Sequence, residues 1–106
     1  MQIKIKREGV IMIVSLTGEL DHHCADEVRR KIDGALLANV SKYVIFDFTG
    51  LSFMDSSGIG MLMGRYKNIG LLGGKAWIVC GSGEGVAVEK LLAMSGVFKY
   101  IKKRTV

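Results

Sequence analysis

Tyr43-Val-Ile-Phe-Asp-Phe48 is the stretch on which the fold of this chain turns. It is an almost unbroken apolar run of strand-forming residues, the pattern of a strand covered on both faces, and it reads as the central strand of a sheet. Upstream, Ile3 to Lys6 alternates apolar and charged residues, and beyond Glu8-Gly9 the β-branched run Val10 to Leu16 completes a hairpin. Between this hairpin and the central strand, Ala25, Val28, Ile32, Ala35 and Leu36 recur at helical spacing, predicting a helix over Cys24 to Asn39 that is capped from Asp21 or a neighbour. Downstream, Ile59, Leu62, Met63 and Tyr66 share one face of a helix over Ser57 to Asn68. Gly73-Gly74 then turns the chain into a strand over Lys75 to Cys80. A helix near Val86 to Met94, stopped by Gly96, and a final short strand over Val97 to Ile101 close the chain. The order β-β-α-β-α-β-α-β describes one α/β domain over residues 1–106, a mixed sheet of about four to five strands covered by about three to four helices.

With 106 residues, about half of them hydrophobic, the chain is long enough for one buried core and too apolar to be disordered. The N-terminus lacks the apolar stretch of a signal peptide and no segment reaches the length of a membrane span, so the expected location is the cytoplasm. The net charge of +5 arises largely from Lys4, Lys6 and Arg7 at one end and Lys99, Lys102, Lys103 and Arg104 at the other. No aromatic is interleaved with those cations to stack bases, so they read as solvated termini, with neither nucleic acid nor membrane expected as a partner. Cys24 and Cys80 form no CxxC pattern and read as small apolar residues or idle thiols.

Three apparent catalytic or ligand motifs dissolve on inspection. Asp21-His-His23 places adjacent histidines in different directions without a further ligand cluster, which argues against zinc. Gly81-Ser-Gly-Glu-Gly85 lacks the third glycine of a dinucleotide loop, because Val86 stands there, and reads as a tight strand-to-helix turn. The serines at 56 and 57 lie in no GxSxG elbow, which argues against a serine hydrolase. No metal, no cofactor and no enzymatic activity are expected.

The informative segment is Leu51-Ser-Phe-Met-Asp-Ser-Ser-Gly-Ile-Gly60, which leaves the C-terminal end of the central strand, where open α/β sheets build their sites. Asp55, Ser56 and Ser57 are all competent helix caps. The helix they open carries Gly58, Gly60 and Gly64, although an interior glycine costs about 1 kcal/mol relative to alanine. At 100° per residue the side opposite the apolar stripe holds Ser57, Gly60, Met61, Gly64 and Asn68, with Arg65 beside it. Such a bald face, with one adaptable methionine, suits close docking of another chain or close packing within this one. The same wheel turns Ser57 outward and Ser56 toward the buried side.

Three separated motifs, Gly18-Glu-Leu-Asp-His-His23, Leu51-Ser-Phe-Met-Asp-Ser-Ser-Gly58 with Gly64-Arg-Tyr-Lys67, and Met94-Ser-Gly-Val-Phe-Lys99, give the chain a resemblance to the STAS family of bacterial anti-sigma factor antagonists, or anti-anti-sigma factors. The resemblance spans nearly the whole chain, is nearest to the sporulation type, and implies a further helix beyond the last strand. It also implies a partner-switching phosphoprotein of transcription regulation. In that cycle the unphosphorylated form binds an anti-sigma factor that is also its serine kinase and so frees a sporulation sigma factor; phosphorylation breaks the complex and a serine phosphatase restores it. Motif alignment assigns the phosphate to Ser56, with Ser57 as runner-up, and the partner-binding set is Asp21, Asp55, Ser57, Gly58, Gly60, Met61, Gly64 and Arg65. ATP and magnesium belong to the kinase, and the free protein is expected to be a monomer. Alternatives within the fold are a module of a general-stress assembly and a lipid- or small-ligand-binding STAS domain.

A phosphoserine adds about −1.5 to −2 charges. At a helix N-terminus the dipole and free amides tolerate an anion, whereas a docking partner would meet it beside Asp55. One like-charge pair at about 4 Å and an effective dielectric near 20 is worth roughly 4 kcal/mol, on the order of a thousandfold in affinity.

Overall fold

The structure is a computed structural model that describes residues 1–38, 43–81 and 85–104. Strands β1 (Gln2–Glu8) and β2 (Ile11–Leu20) form the antiparallel hairpin, turning at Gly9 with φ +62. Helix α1 (Ala25–Ala38) leads to β3 (Tyr43–Met54), α2 (Ser56–Leu71) to β4 (Lys75–Val79), and α3 (Gly85–Ser95) to β5 (Lys102–Arg104). The sheet order is β1-β2-β3-β4-β5, parallel from β2 onward.

Each crossover steps the same way across the sheet, and a right-handed connection then lays its helix on the same face every time. Burial follows that asymmetry. The rows Met12–Val44–Ala76 and Val14–Phe46–Ile78 point under the helices and are buried. They meet Val28 and Ile32 of α1, Leu62 and Ile69 of α2, and Val88 and Leu92 of α3 in one core. Fully burying a side chain such as Phe46 contributes about 1.5–3 kcal/mol.

The expected element order holds, with five strands and three α-helices among the described residues, and three expectations need correction. The central strand is covered on one face only: Ile45 and Asp47 keep partial exposure and Tyr43 is exposed, because no crossover in this topology reverses direction. Strand β3 runs on to Met54, beyond Phe48, staying paired with β2 through register shifts at Ser15/Thr17 and Gly18/Glu19. Those irregularities turn Leu51 and Met54 inward after exposed Thr49 and Gly50. Val97 to Ile101 is not the last strand. Gly96, at φ +85, breaks the chain into a 3-10 turn over Val97–Lys99, which buries Val97 and Ile101 as a plug before β5 begins at Lys102. Asn39, the expected end of α1, and Ser82, Gly83 and Glu84 of the glycine-rich turn lie outside the described residues.

Both cysteines are free and half-buried. Desolvation, with Glu89 adding to it and Lys103 opposing it, pushes the Cys80 thiol up from 9.0 to about 11. The unfolded chain therefore ionises this thiol first. Its contribution to stability is full below pH 9.0 and is lost as pH rises toward 11. Urea denaturation of the wild type should show falling stability over that window, and Cys80→Ala should flatten the fall; an unchanged slope would show that Cys80 is not its source.

Candidate functional site

Register irregularities let β2 and β3 end side by side, and the joint is tied by Asp55. Its backbone N–H donates to the Leu20 carbonyl at 3.2 Å, holding the ends of the two strands together. With φ −114 and ψ −173 it is extended, the backbone of a helix N-cap, and its Oδ1 accepts the Ser57 N–H at 2.9 Å. Its carbonyl accepts the Gly58 and Ile59 amides at 3.0 and 3.4 Å. Oδ2 accepts the His22 N–H at 3.2 Å, with His22 Nδ1 at 3.8 Å. One carboxylate thus caps α2 and clasps the loop that enters α1.

Capping falls to Asp55, so the serine hydroxyls are spared that duty. Ser56, the first helical residue, is exposed; Ser57 is half-buried. This reverses the helical-wheel expectation, because the extended cap residue resets the phase on which the wheel depends.

On the neighbouring loop the Asp21 carbonyl accepts the Cys24 and Ala25 amides at 3.2 and 3.0 Å, starting α1, while Oδ1 accepts the His23 N–H at 2.9 Å. Desolvation pushes the Asp21 carboxyl up, but the His23 amide, the His23 charge and Cys24 outweigh it and hold the group below the ordinary aspartate value. The rings of His22 and His23 lie against each other at 3.9 Å between centroids, and no group of metal-ligating side chains forms among the described residues.

Between the start of α1 and the first turns of α2 lies an open hollow of about 320 Å³, bordered by His22, Asp26, Arg29, Ser57, Gly60, Met61 and Arg65. The bald-face expectation is corrected in part here. Met61 and Arg65 are 6% and 7% exposed, because α1 and α2 lie side by side on the sheet and that side of α2 packs on α1. Arg65 Nε lies 2.8 Å from Asp33 Oδ1 across the two helices, and neither Nε nor Nη1 finds a hydrogen-bond acceptor among the described residues. Desolvation lowers the Arg65 pKa, with Asp33 opposing and Arg29 reinforcing. Gly58 is also interior: a Cβ there would stand 2.7 Å from Met54 Cγ and 3.1 Å from Leu20 Cδ2. Gly60 and Gly64 do face open space. The sequence pointed to neither Asp26 nor Arg29; only the packing of α1 on α2 brings them to this hollow, while Asp33 reaches it indirectly, through Arg65.

A STAS domain model matches the chain over residues 2–106. Over 99 residues the chain is 41% identical to an anti-sigma F factor antagonist of Paenibacillus polymyxa, an overlap of 93% of this chain and 82% of that protein. The chain belongs to the STAS-domain family of anti-sigma factor antagonists. These are regulatory proteins without catalytic activity. Two solved structures place this antagonist in the same fold. The anti-sigma factor antagonist SpoIIAA in its unphosphorylated form superposes with a TM-score of 0.80 at 28% identity, covering 98% of this chain and 89% of that one. The Bacillus cell fate determinant SpoIIAA in the phosphorylated form gives 0.73 at 28% identity, covering 98% and 92%. No helix among the described residues of the antagonist is long and apolar enough to cross a membrane.

The three glycines of α2 should separate by substitution. Gly60→Ala and Gly64→Ala should each raise stability by up to about 1 kcal/mol, since a helix interior favours alanine and nothing obstructs the new methyl. Gly58→Ala should lower it by about 1–3 kcal/mol through the clash with Met54 and Leu20. Equal effects at the three positions in urea titrations would contradict these placements.

Proposed function

We propose that the chain is a partner switch: unphosphorylated, it binds an anti-sigma factor that is also a serine kinase and releases a sporulation sigma factor; phosphorylated on Ser56, it lets go, and a serine phosphatase resets it. The observation that carries the reading is the exposed Ser56 hydroxyl at the first position of α2, beside the open surface of Gly60 and Gly64. The likeness to relatives named for anti-sigma F factor antagonism and to a structure of SpoIIAA in a phosphorylated form supports it. ATP and magnesium are supplied by the kinase, and the exchange takes place in the cytoplasm between a monomeric antagonist and its partners.

The local bonding explains why the phosphate switches binding and leaves the fold intact. Asp55 already occupies the amides of Ser57, Gly58 and Ile59. A phosphate on Ser56 therefore finds the first turn's donors largely taken and stays in solvent, supported only by the helix dipole. A partner docking over Gly60 must then strip water from a dianion that stands next to the Asp55 carboxylate. Desolvating such a charge without a matching cation weakens binding strongly. Docking itself draws on Gly60, Gly64, Ser57 and the His22 side of the hollow, with Asp21 and Asp55 as acceptors on the rim. Met61, Arg65 and Gly58 act from beneath by fixing the position of α2.

Incubation with a purified anti-sigma F kinase and magnesium ATP should place one phosphate on Ser56, located by mass spectrometry and absent from Ser56→Ala. Ser56→Ala should retain affinity for the anti-sigma factor and Ser56→Asp should lose on the order of a hundredfold or more, with both variants as stable as wild type. Phosphate on Ser57, or equal affinity of the Ala and Asp variants, would refute the assignment.

A further inference from the structure

The uncovered face of the sheet carries a charge pattern that the switch does not use. In register across the five strands, one row reads Lys6–Ile13–Ile45–Trp77–Lys102, and the next reads Lys4–Ser15–Asp47–Val79–Arg104. Ile11, Tyr43 and Lys75 extend the face at one end. Ile13, Ile45, Trp77 and Val79 are only half-buried and belong neither to the core nor to the apolar side chains packed against it. Parallel strands are normally covered on both faces, so an apolar centre of this kind is unusual where none of the described residues forms a layer over it. Four of the basic residues that looked like two separate solvated termini in the sequence share this face, Lys4 and Lys6 on β1 at one edge and Lys102 and Arg104 on β5 at the other. The acidic groups of the face are engaged: Glu8 pairs with Lys6 at 3.2 Å, and Asp47 accepts from Ser15 and Thr49.

We propose that this face binds an acidic amphipathic helix of a partner protein, its apolar stripe on Ile13, Ile45 and Trp77 and its flanking carboxylates on Lys6 and Lys4 at one side and Lys102 and Arg104 at the other. The dimensions agree. Five strands at about 4.8 Å spacing place the two basic edges roughly 19 Å apart, and a helix of about 10 Å diameter fills the gap with room for its flanking side chains. A helix on the free face of an open sheet is also the ordinary layered solution. Charge complementarity selects the occupant. A second copy of the chain would set cations against cations. The right-handed twist lifts opposite corners of the sheet out of any plane, so both basic edges grip a rod better than a flat bilayer. The rings of Tyr43 and Trp77 pack on each other, 5.7 Å between centroids and tilted by 47°, rather than standing apart as platforms for stacked bases.

Trp77 is the only tryptophan of the chain, so its emission reports the face directly. The probe is a synthetic amphipathic helix of about 18 residues with a leucine stripe flanked by glutamates, compared with the same peptide flanked by lysines. The glutamate peptide should shift Trp77 emission saturably, and Lys6→Glu combined with Lys102→Glu should weaken that binding by at least about tenfold while the circular dichroism stays that of the wild type. Ser56→Asp should bind the peptide as the wild type does, which separates this face from the switch. The absence of a saturable shift, an equal response to the lysine peptide, or tighter binding of phosphatidylglycerol vesicles or of an oligothymidylate than of the glutamate peptide would overturn the proposal.

Discussion

The direction in which the chain crosses its sheet is the constraint from which the other features follow. Beginning at β2, each strand is laid on the same side of its predecessor, and the right hand of each connection puts α1, α2 and α3 on one face. Helices joining neighbouring strands become neighbours themselves, so α1 and α2 touch and share Arg65 and Asp33. The loops after β2 and β3 open side by side at the C-terminal ends of parallel strands. That is the place where α/β sheets gather functional groups, and here it gathers Asp21, His22, Asp55 and Ser56. The same constraint leaves the opposite face without a layer among the described residues.

Asp55 makes this juxtaposition rigid. The Asp55 carboxylate accepts the Ser57 and His22 amides and its backbone N–H donates to the Leu20 carbonyl, so three hydrogen bonds weld two loops and one helix start. Each such bond to a charged acceptor contributes about 1.5–3 kcal/mol at most, and less where water competes. Their joint effect is mainly geometric. By monopolising the helix cap, Asp55 frees the adjacent hydroxyl of Ser56 to face solvent, and by keeping its charge nearby it sets the field that an added phosphate would enter.

Much of this was legible in the sequence because local pattern and tertiary role coincide. The stripe of α1 is buried at Ala25, Val28, Ile32 and Leu36, and Phe46 and Ile78 sit at the centre of the sheet. What escaped was set by register or by contact between elements distant in sequence. The bulges that carry β3 on to Met54 are a property of its pairing with β2, not of its composition. Arg65 looked like a surface cation because its partner Asp33 lies on another helix, and Met61 looked like exposed contact area because a wheel has no knowledge of the second neighbour on its far side. The run at Tyr43 to Phe48 predicted two covered faces because two of its three outward residues, Tyr43 and Ile45, carry large apolar surface, and Asp47 alone breaks the run.

That last mismatch says more about sequence pressure than the matches do. An antiparallel sheet with one wet face alternates apolar and polar residues, since an exposed isoleucine gains nothing from water. Here β2, β3 and β4 keep Ile13, Ile45, Trp77 and Val79 on the uncovered side, while β1 and β5 keep lysines and arginine at the same level. Long cationic side chains can lay their aliphatic stems along apolar surface while their charged ends stay in water. The apolar strip is only partly dehydrated as it stands. A surface of that kind gains most from a partner that completes the burial and neutralises both rims at once, and the two edges of the sheet lie at the distance one helix needs to do so.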